Sequence, residues 1–226
     1  MARVVGVPVQ ELEFIQSFLP HMHRVITPGA GRRLFVLQEV DVSMGRPDLI
    51  ALSCSPSALE AFGRKRLRLP SYAAARVLDP TVPVGQTGVS KPYERRLRAT
   101  LEESGWTSRV VPKAARVISY SVGIEAKIRE IPRAVRQVAR FRALFDRAAV
   151  LAPQSPAKMI TMPLLDSYGI GLIQPNQESW SWTAESKQRP VSIASRLWLL
   201  ELLQRELEAD RVYIPSRSRK ISIAVR

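Results

Sequence analysis

The chain has 226 residues, 46% of them apolar, with a formal net charge of +14 and a pI near 10.8. Such a length holds one large domain or two small ones, and the charge favours a polyanionic partner, nucleic acid before membrane surface. No apolar run approaches the ~18–20 residues of a membrane span. The stretch Met1–Pro8 is too short in apolar residues for a secretory signal. The single cysteine, Cys54, excludes an internal disulfide, fits a reducing cytoplasm and reads as a buried small hydrophobe.

In chain order, residues 8–23 read as a helix, with Pro8 suiting the first turn and Leu12, Ile15, Phe18 and Leu19 forming an apolar stripe. Residues 27–31 make a turn. Leu34–Val42 and Leu49–Ser53 read as strands. The texture changes over 55–105, which is rich in helix formers, loops and arginine. A short helix is expected from Ser71, a tight turn or a one-turn helix over 83–89, and a longer helix from Lys91 to Ser104, N-capped by Ser90 and closed by Gly105. Trp106–Val111 and Ala115–Ser119 are expected to pair as a β-hairpin. A strand over 121–128 follows, then a helix over 132–145, a strand over 148–152, a helix over 157–167 and a strand over 169–173. Trp180-Ser-Trp182 suggests another strand. Residues 191–209 form a helix with Ile193, Leu197, Leu200, Leu203 and Leu207 at helical spacing. The tail Ser216–Lys220 is a basic patch, with a final strand after it.

Chemistry concentrates in Val122-Gly-Ile-Glu125-Ala-Lys127-Ile128. On a strand, residues i and i+2 share a face, so Glu125 and Lys127 project together. Upstream, Gly45-Arg-Pro-Asp48-Leu-Ile-Ala-Leu is a short strand headed by an aspartate. Asp, then Glu-x-Lys, on neighbouring strands equips a site for a divalent metal with a cation beside it. Mg²⁺ takes few protein oxygens and keeps waters that a phosphate can replace. Asp48 and Glu125 would supply carboxylates and Ala126 its carbonyl. Lys127 would orient or deprotonate a water, or neutralise a phosphate oxygen. Glu-x-Lys alone is a weak signal, and Glu185-Ser-Lys187 repeats it in what reads as a solvated loop.

Without 55–120, the order is helix, strand, strand, strand, helix, strand. With Pro47-Asp48 and Glu125-Ala126-Lys127, it resembles the PD-(D/E)xK nuclease superfamily. Gln137-Val-Ala-Arg-Phe141 is similar to the Gln-x-x-x-Tyr helix of several branches, with Phe for Tyr. The resemblance covers about two-thirds of the chain. It implies an α/β, restriction-endonuclease-like core (a central mixed sheet flanked by helices), Mg²⁺ or Mn²⁺ as cofactor, double-stranded DNA as partner and hydrolysis of its phosphodiesters. It also implies a further acid on the first helix or strand. Glu39 is preferred, Glu13 is the other candidate, and Glu11 ranks below both. Gln137 would anchor the active-site end of its helix or touch DNA. His21 and His23 face apart on a helix end, with no further histidine to complete a site.

The departure from the family is the long stretch between Asp48 and Glu125. The organisation expected is a discontinuous nuclease-like core, 1–54 and 121–226, with an inserted, mostly helical module, 55–120. Residues 60–120 carry 12 basic side chains against five acidic ones. Residues 84–106 resemble a helix-turn-helix with a wing, in which the second helix enters the major groove. Ser90, Lys91, Tyr93, Arg95 and Arg96 would touch DNA, while Leu97 and Leu101 face inward. The bland alternative is a basic helical cap over the core. Arg133, Arg136, Arg140, Arg142 and Arg147 are either a solvated face or a phosphate track. The family often cuts as a homodimer, for which helix 191–209 offers an interface, unless that helix is core. A cleavage-inactive DNA-binding regulator on the same fold, and a basic interaction protein that meets RNA, are the rival functions.

Overall fold

The structure, a computed structural model, describes residues 10–153, 158–177 and 179–215. The expected basic patch and final strand after 216 lie outside them, as does Pro8. Six strands form one mixed sheet in sequential order. They are β1 (Arg33–Gln38), β2 (Leu49–Cys54), β3 (Ile118–Ala126), β4 (Arg147–Leu151), β5 (Gly171–Pro175) and β6 (Trp180–Ala184). The pairs β1–β2, β2–β3 and β5–β6 are antiparallel, while β3–β4 and β4–β5 are parallel. The two parallel joins require crossovers. Helices α7 (Ile131–Phe141) and α8 (Lys158–Tyr168) supply them.

Period-2 alternation splits β2 and β3 between two apolar layers. Leu49, Ala51, Val122, Ile124 and Ala126 pack against Phe14, Phe18 and Met22 of α1 (Glu11–Phe18) and α2 (Met22–Val25). Ile50, Leu52 and Cys54 face the other layer, which contains Val135, Val138 and Phe141 of α7 and the leucines of α9 (Ile193–Glu208). Every residue of β2 is buried, as befits a strand covered on both faces. The expected helix over 8–23 is broken at Leu19–His21 by a 3-10 turn holding Pro20, which cannot donate to the helical ladder. The Trp180 ring, 5.2 Å from Phe14 and 5.1 Å from Phe18, pins α1 to the sheet.

Between β2 and β3 lie α3 (Pro56–Gly63), α4 (Tyr72–Leu78), α5 (Lys91–Glu103) and α6 (Val110–Ala115). The hairpin expected over 106–119 is not there. Residues Val110–Ala115 are helical, because Val111, Ala114 and Ala115 at helical spacing bury one face. Trp106 closes the turn after α5, its ring 5.6 Å from Phe62 and its Nε1 donating to the Arg68 carbonyl at 3.1 Å. Helices α4 and α6 pack on α9, and one apolar layer runs through Leu69, Ala74, Leu101, Trp106, Leu197 and Leu200. Asp79, itself buried, accepts from the backbone N–H of Ala194 at 2.9 Å and so caps α9 from α4. Helix α9 is core: Leu197, Leu199, Leu200, Leu202 and Leu203 are buried within the chain. Its apolar stripe is spent internally and is not available as the dimer interface weighed from sequence. Cys54 is buried and unpaired, and burial pushes its thiol up to about 12. No helix among the described residues is long and apolar enough to cross a membrane.

Candidate active site

Register builds the site. Leu49 pairs with Ile124 in the antiparallel β2–β3 ladder. Asp48 stands one step before Leu49 and Glu125 one step after Ile124, so the two acids fall opposite each other on the same face. The Asp48 carboxylate (Oδ2) accepts from the Ala126 backbone N–H at 2.7 Å, and the Lys127 N–H donates to the Leu151 carbonyl at 2.9 Å. The ends of β2, β3 and β4 are thus tied together under the site. Lys127 Nζ lies 3.9 Å from Glu125 Oε1. Three residues singled out from sequence, 77 to 79 positions apart in two cases, converge.

Gly123, two residues before Glu125 on the same face, lets α7 come close. A Cβ there would stand 2.6 Å from Phe145 and 3.0 Å from Phe141. Phe141 also lies against Gly45, in the loop leading to Asp48, and packs edge-on against Phe145 with centroids 5.8 Å apart. The phenylalanine that stands in the aromatic position of the Gln-x-x-x-Tyr pattern is therefore a buried brace, with no hydroxyl to satisfy.

The electrostatics are those of acids held without enough compensation. Glu125 is only 3% exposed, and its Oε2 is buried with no hydrogen-bond partner. Burial first, then the Asp48 charge, push its carboxyl up to about 8, with Lys127 pulling the other way. Asp48 is also raised, by burial, against the Ala126 hydrogen bond and the Lys127 charge that lower it. Burial would lower Lys127, but its hydrogen bond to Glu11 and the charges of Glu11, Asp48 and Glu125 outweigh that and raise it. A group of one ammonium and three acids is short of positive charge. The buried Oε2 of Glu125 is left without a partner, and the raised carboxyl favours its protonated form.

Glu11, ranked last of the outlying acids, is the one that reaches this group. Its Oε2 accepts from Lys127 Nζ at 2.8 Å. Glu11 shares a helical face with the buried Phe14, Ile15 and Phe18, spaced 3, 4 and 7 residues on, and that face turns toward the sheet. Glu13 lies off this face and is exposed. Glu39 does not lie on a strand: β1 ends at Gln38, and Glu39 has φ 50°. Its carboxylate pairs with Arg46 at 2.9 Å in an exposed bridge, although its charge still contributes to raising Asp48. Beside Lys127 a cavity of about 290 Å³ is lined by Glu11, Lys127, Arg129, Glu130, Arg133 and Gln137. Gln137 thus reaches the site's rim, with a buried Oε1 that has no partner.

Among the described residues no three His, Cys, Asp or Glu form a ready metal cluster. Two carboxylates and a backbone carbonyl are nonetheless the kind of sparse oxygen set that Mg²⁺ accepts while keeping its waters. Asp48 and Glu125, paired across β2–β3 and the latter with an unpartnered buried Oε2, supply two such carboxylates. The Glu185–Lys187 segment is a loop after β6. Glu185 pairs with Arg147 at 2.5 Å and Lys187 with Asp166 at 2.8 Å.

Ser90, Lys91, Tyr93, Arg95 and Arg96 are all exposed on or beside the first turns of α5, while Leu101 is buried and Leu97 half-buried. Ser90 occupies the N-cap position, but its side chain makes no capping bond. Of the five arginines that follow β3, Arg142 is buried and donates to the carbonyl of Gly169 at 2.9 Å, and Arg147 is committed to Glu185. Arg133, Arg136 and Arg140 remain outward-facing, Arg133 through a surface pair with Glu130. Comparison with family models, curated proteins and solved structures finds no match for this chain.

Proposed function

We propose that the chain is a metal-dependent DNA endonuclease with a restriction-endonuclease-like core. The observation that carries this reading is the pairing of Asp48 with Glu125 across β2–β3, with Lys127 beside them and one Glu125 oxygen unpartnered. Asp48, Glu125 and the Ala126 carbonyl would hold Mg²⁺ or Mn²⁺. An ion held there would supply a more acidic bound water and Lewis-acid stabilisation of charge on the scissile phosphate. Lys127, kept protonated by its acidic neighbours, neutralises a non-bridging phosphate oxygen and orients the attacking water. Glu11 fixes the ammonium in place, and Gln137 offers its amide to the substrate or to a water at the cavity rim. The segment between β2 and β3 supplies the DNA-contacting surface through Ser90, Lys91, Tyr93, Arg95 and Arg96 in a winged-helix-like role. The reading supports a protein of the cytoplasm that meets duplex DNA.

The test is incubation of the purified chain with plasmid and Mg²⁺ or Mn²⁺. Nicking or linearisation is expected, lost with EDTA, lost in Asp48→Ala, and reduced ~10²–10³-fold in Lys127→Ala. Duplex binding without any metal-dependent cleavage would instead favour the cleavage-inactive regulator.

A further inference from the structure

The cavity beside Lys127 is walled by a chain that doubles back on itself. Lys127 and Arg129 come from the segment leaving β3, and Arg133 and Gln137, four residues apart, share one face of α7. Between the pairs, Glu130 turns the chain at φ 56°, a left-handed conformation uncommon for a residue with a side chain. Its carbonyl accepts from the Arg133 and Ala134 N–H groups at 2.8 and 3.3 Å. The turn sets three cations and one amide around a volume of about 290 Å³, with Glu11 of α1 completing the lining.

These side chains do not exhaust one another. Glu11 is taken by Lys127 at 2.8 Å. Glu130 holds Arg133 at 3.3 Å in an exposed bridge, of the kind that contributes little and gives way to a stronger partner. Arg129 is exposed and pairs with no acid among the described residues. The Gln137 Oε1 has no hydrogen-bond partner, so no bond at that atom fixes which end of the amide meets the cavity. A divalent cation in this cavity would meet three like charges. An oxyanion would meet donors, and a guanidinium takes two oxygens of a phosphate at once. The volume lies at the lower edge of the ~300–1,000 Å³ of small-molecule pockets, which suits a phosphate with part of its nucleotide rather than a large cofactor. Lys127 belongs both to this cavity and to the acid pair, its Nζ 3.9 Å from Glu125 Oε1. A strand whose scissile phosphate lies at Lys127 therefore brings a neighbouring phosphate to the cavity.

We propose that the cavity is a phosphate subsite, in which Arg129 and Arg133 hold the phosphate next to the scissile one and Gln137 donates to it or to its sugar. The proposal rests on the reading of DNA as substrate and names what sets the strand's register at the acids. That phosphate is either internal to the strand or a terminal 5′-phosphate, and the two have the same chemistry. The full-length chain is titrated in EDTA, by fluorescence anisotropy, with three DNAs of one sequence. They are a duplex with 5′-phosphates, the same duplex with 5′-hydroxyls, and a form closed by a hairpin loop at each end. For an internal phosphate, Arg129→Ala and Arg133→Ala each weaken binding to all three by ~10- to 150-fold, the loss of a hydrogen bond to a charged group. Each also makes the log–log salt slope shallower by about 0.9. For a terminal phosphate, the wild type prefers the 5′-phosphorylated duplex and both variants lose that preference. Arg129→Lys and Arg133→Lys keep the wild-type salt slope and regain only part of the affinity, because an ammonium cannot take two oxygens in a fork. Both arginines are exposed, so none of these changes disturbs the core. Full recovery by lysine reveals diffuse attraction and overturns the subsite. So do alanine variants that bind all three DNAs within about twofold of wild type, and in both cases the nuclease reading stands. Failure of the wild type to bind any of the three overturns both.

Discussion

Replacing Glu125 by glutamine should stabilise the metal-free protein while ending the proposed cleavage. A carboxyl that ordinarily titrates at 4.5 and is pushed up to about 8 when folded binds a proton more tightly in the native state. Stability is then full below pH 4.5 and is lost as pH rises toward 8, because the native state must either keep its proton or ionise in an unfavourable place. At pH 7 the penalty is about 3 kcal/mol, from two and a half pH units at ~1.36 kcal/mol each. The glutamine amide resembles the protonated acid and escapes this penalty. Glu125→Gln should therefore unfold at the same denaturant concentration as wild type near pH 4.5 and increasingly later above it. By pH 7 the gap corresponds to a Tm rise of roughly 6–12 °C for a chain of this size. Added Mn²⁺ should act the other way, raising the Tm of wild type and leaving the variant unmoved. The assay is chemical and thermal denaturation of both proteins from pH 4.5 to 8.5, with and without Mn²⁺. A constant difference across that range would refute the claim that Glu125 is held in an unfavourable site.

Glu11→Gln removes the charge and weakens the hydrogen bond that raise Lys127, so the alkaline limb of the cleavage–pH profile should move to lower pH; an unmoved limb would reject a role for the ion pair in keeping Lys127 protonated. DNA affinity should fall with salt at a log–log slope near −5 if about six basic residues meet phosphates, and a flat plot would reject the electrostatic contribution. Gly123→Ala should cost ~1–3 kcal/mol in urea denaturation, since its methyl must displace the buried rings of Phe141 and Phe145. The Cys54 thiol should resist alkylation in the native protein and react fully once urea unfolds it, as followed by mass spectrometry.

The heart of the site was legible in the sequence because it rests on the simplest periodicity there is. Glu125 and Lys127 share a face by strand alternation alone, and an apolar run on either side marks the strand. Asp48 needed more, the pairing of two strands separated by four helices, and only the resemblance to a known nuclease pattern bridged that gap. The outlying acid went astray for two local reasons. Glu39 sits at a positive φ just past the end of β1, a bend that a run of apolar residues does not announce. Glu11 was legible in principle, since it continues the stripe of Phe14, Ile15 and Phe18. The hairpin expected over 106–119 failed because valines and an aromatic residue favour strands on propensity. Burial of Val111, Ala114 and Ala115 against α9 decided for helix, and that is a tertiary matter.

The bond between Asp79 and the Ala194 N–H joins points 115 residues apart. It has a consequence for how the protein is made. Helices α4 and α6 rest on α9, which is synthesised after both of them. Until then the apolar sides of Ala74, Val77, Val111 and Ala114 have no lid, and Asp79 has no helix end to cap. A nascent chain therefore carries these surfaces bare until α9 emerges, and a stop codon anywhere before 193 would leave them so permanently. Early-terminated products of this gene should accumulate in aggregates or in proteolytic fragments rather than as a folded sheet-and-helix core.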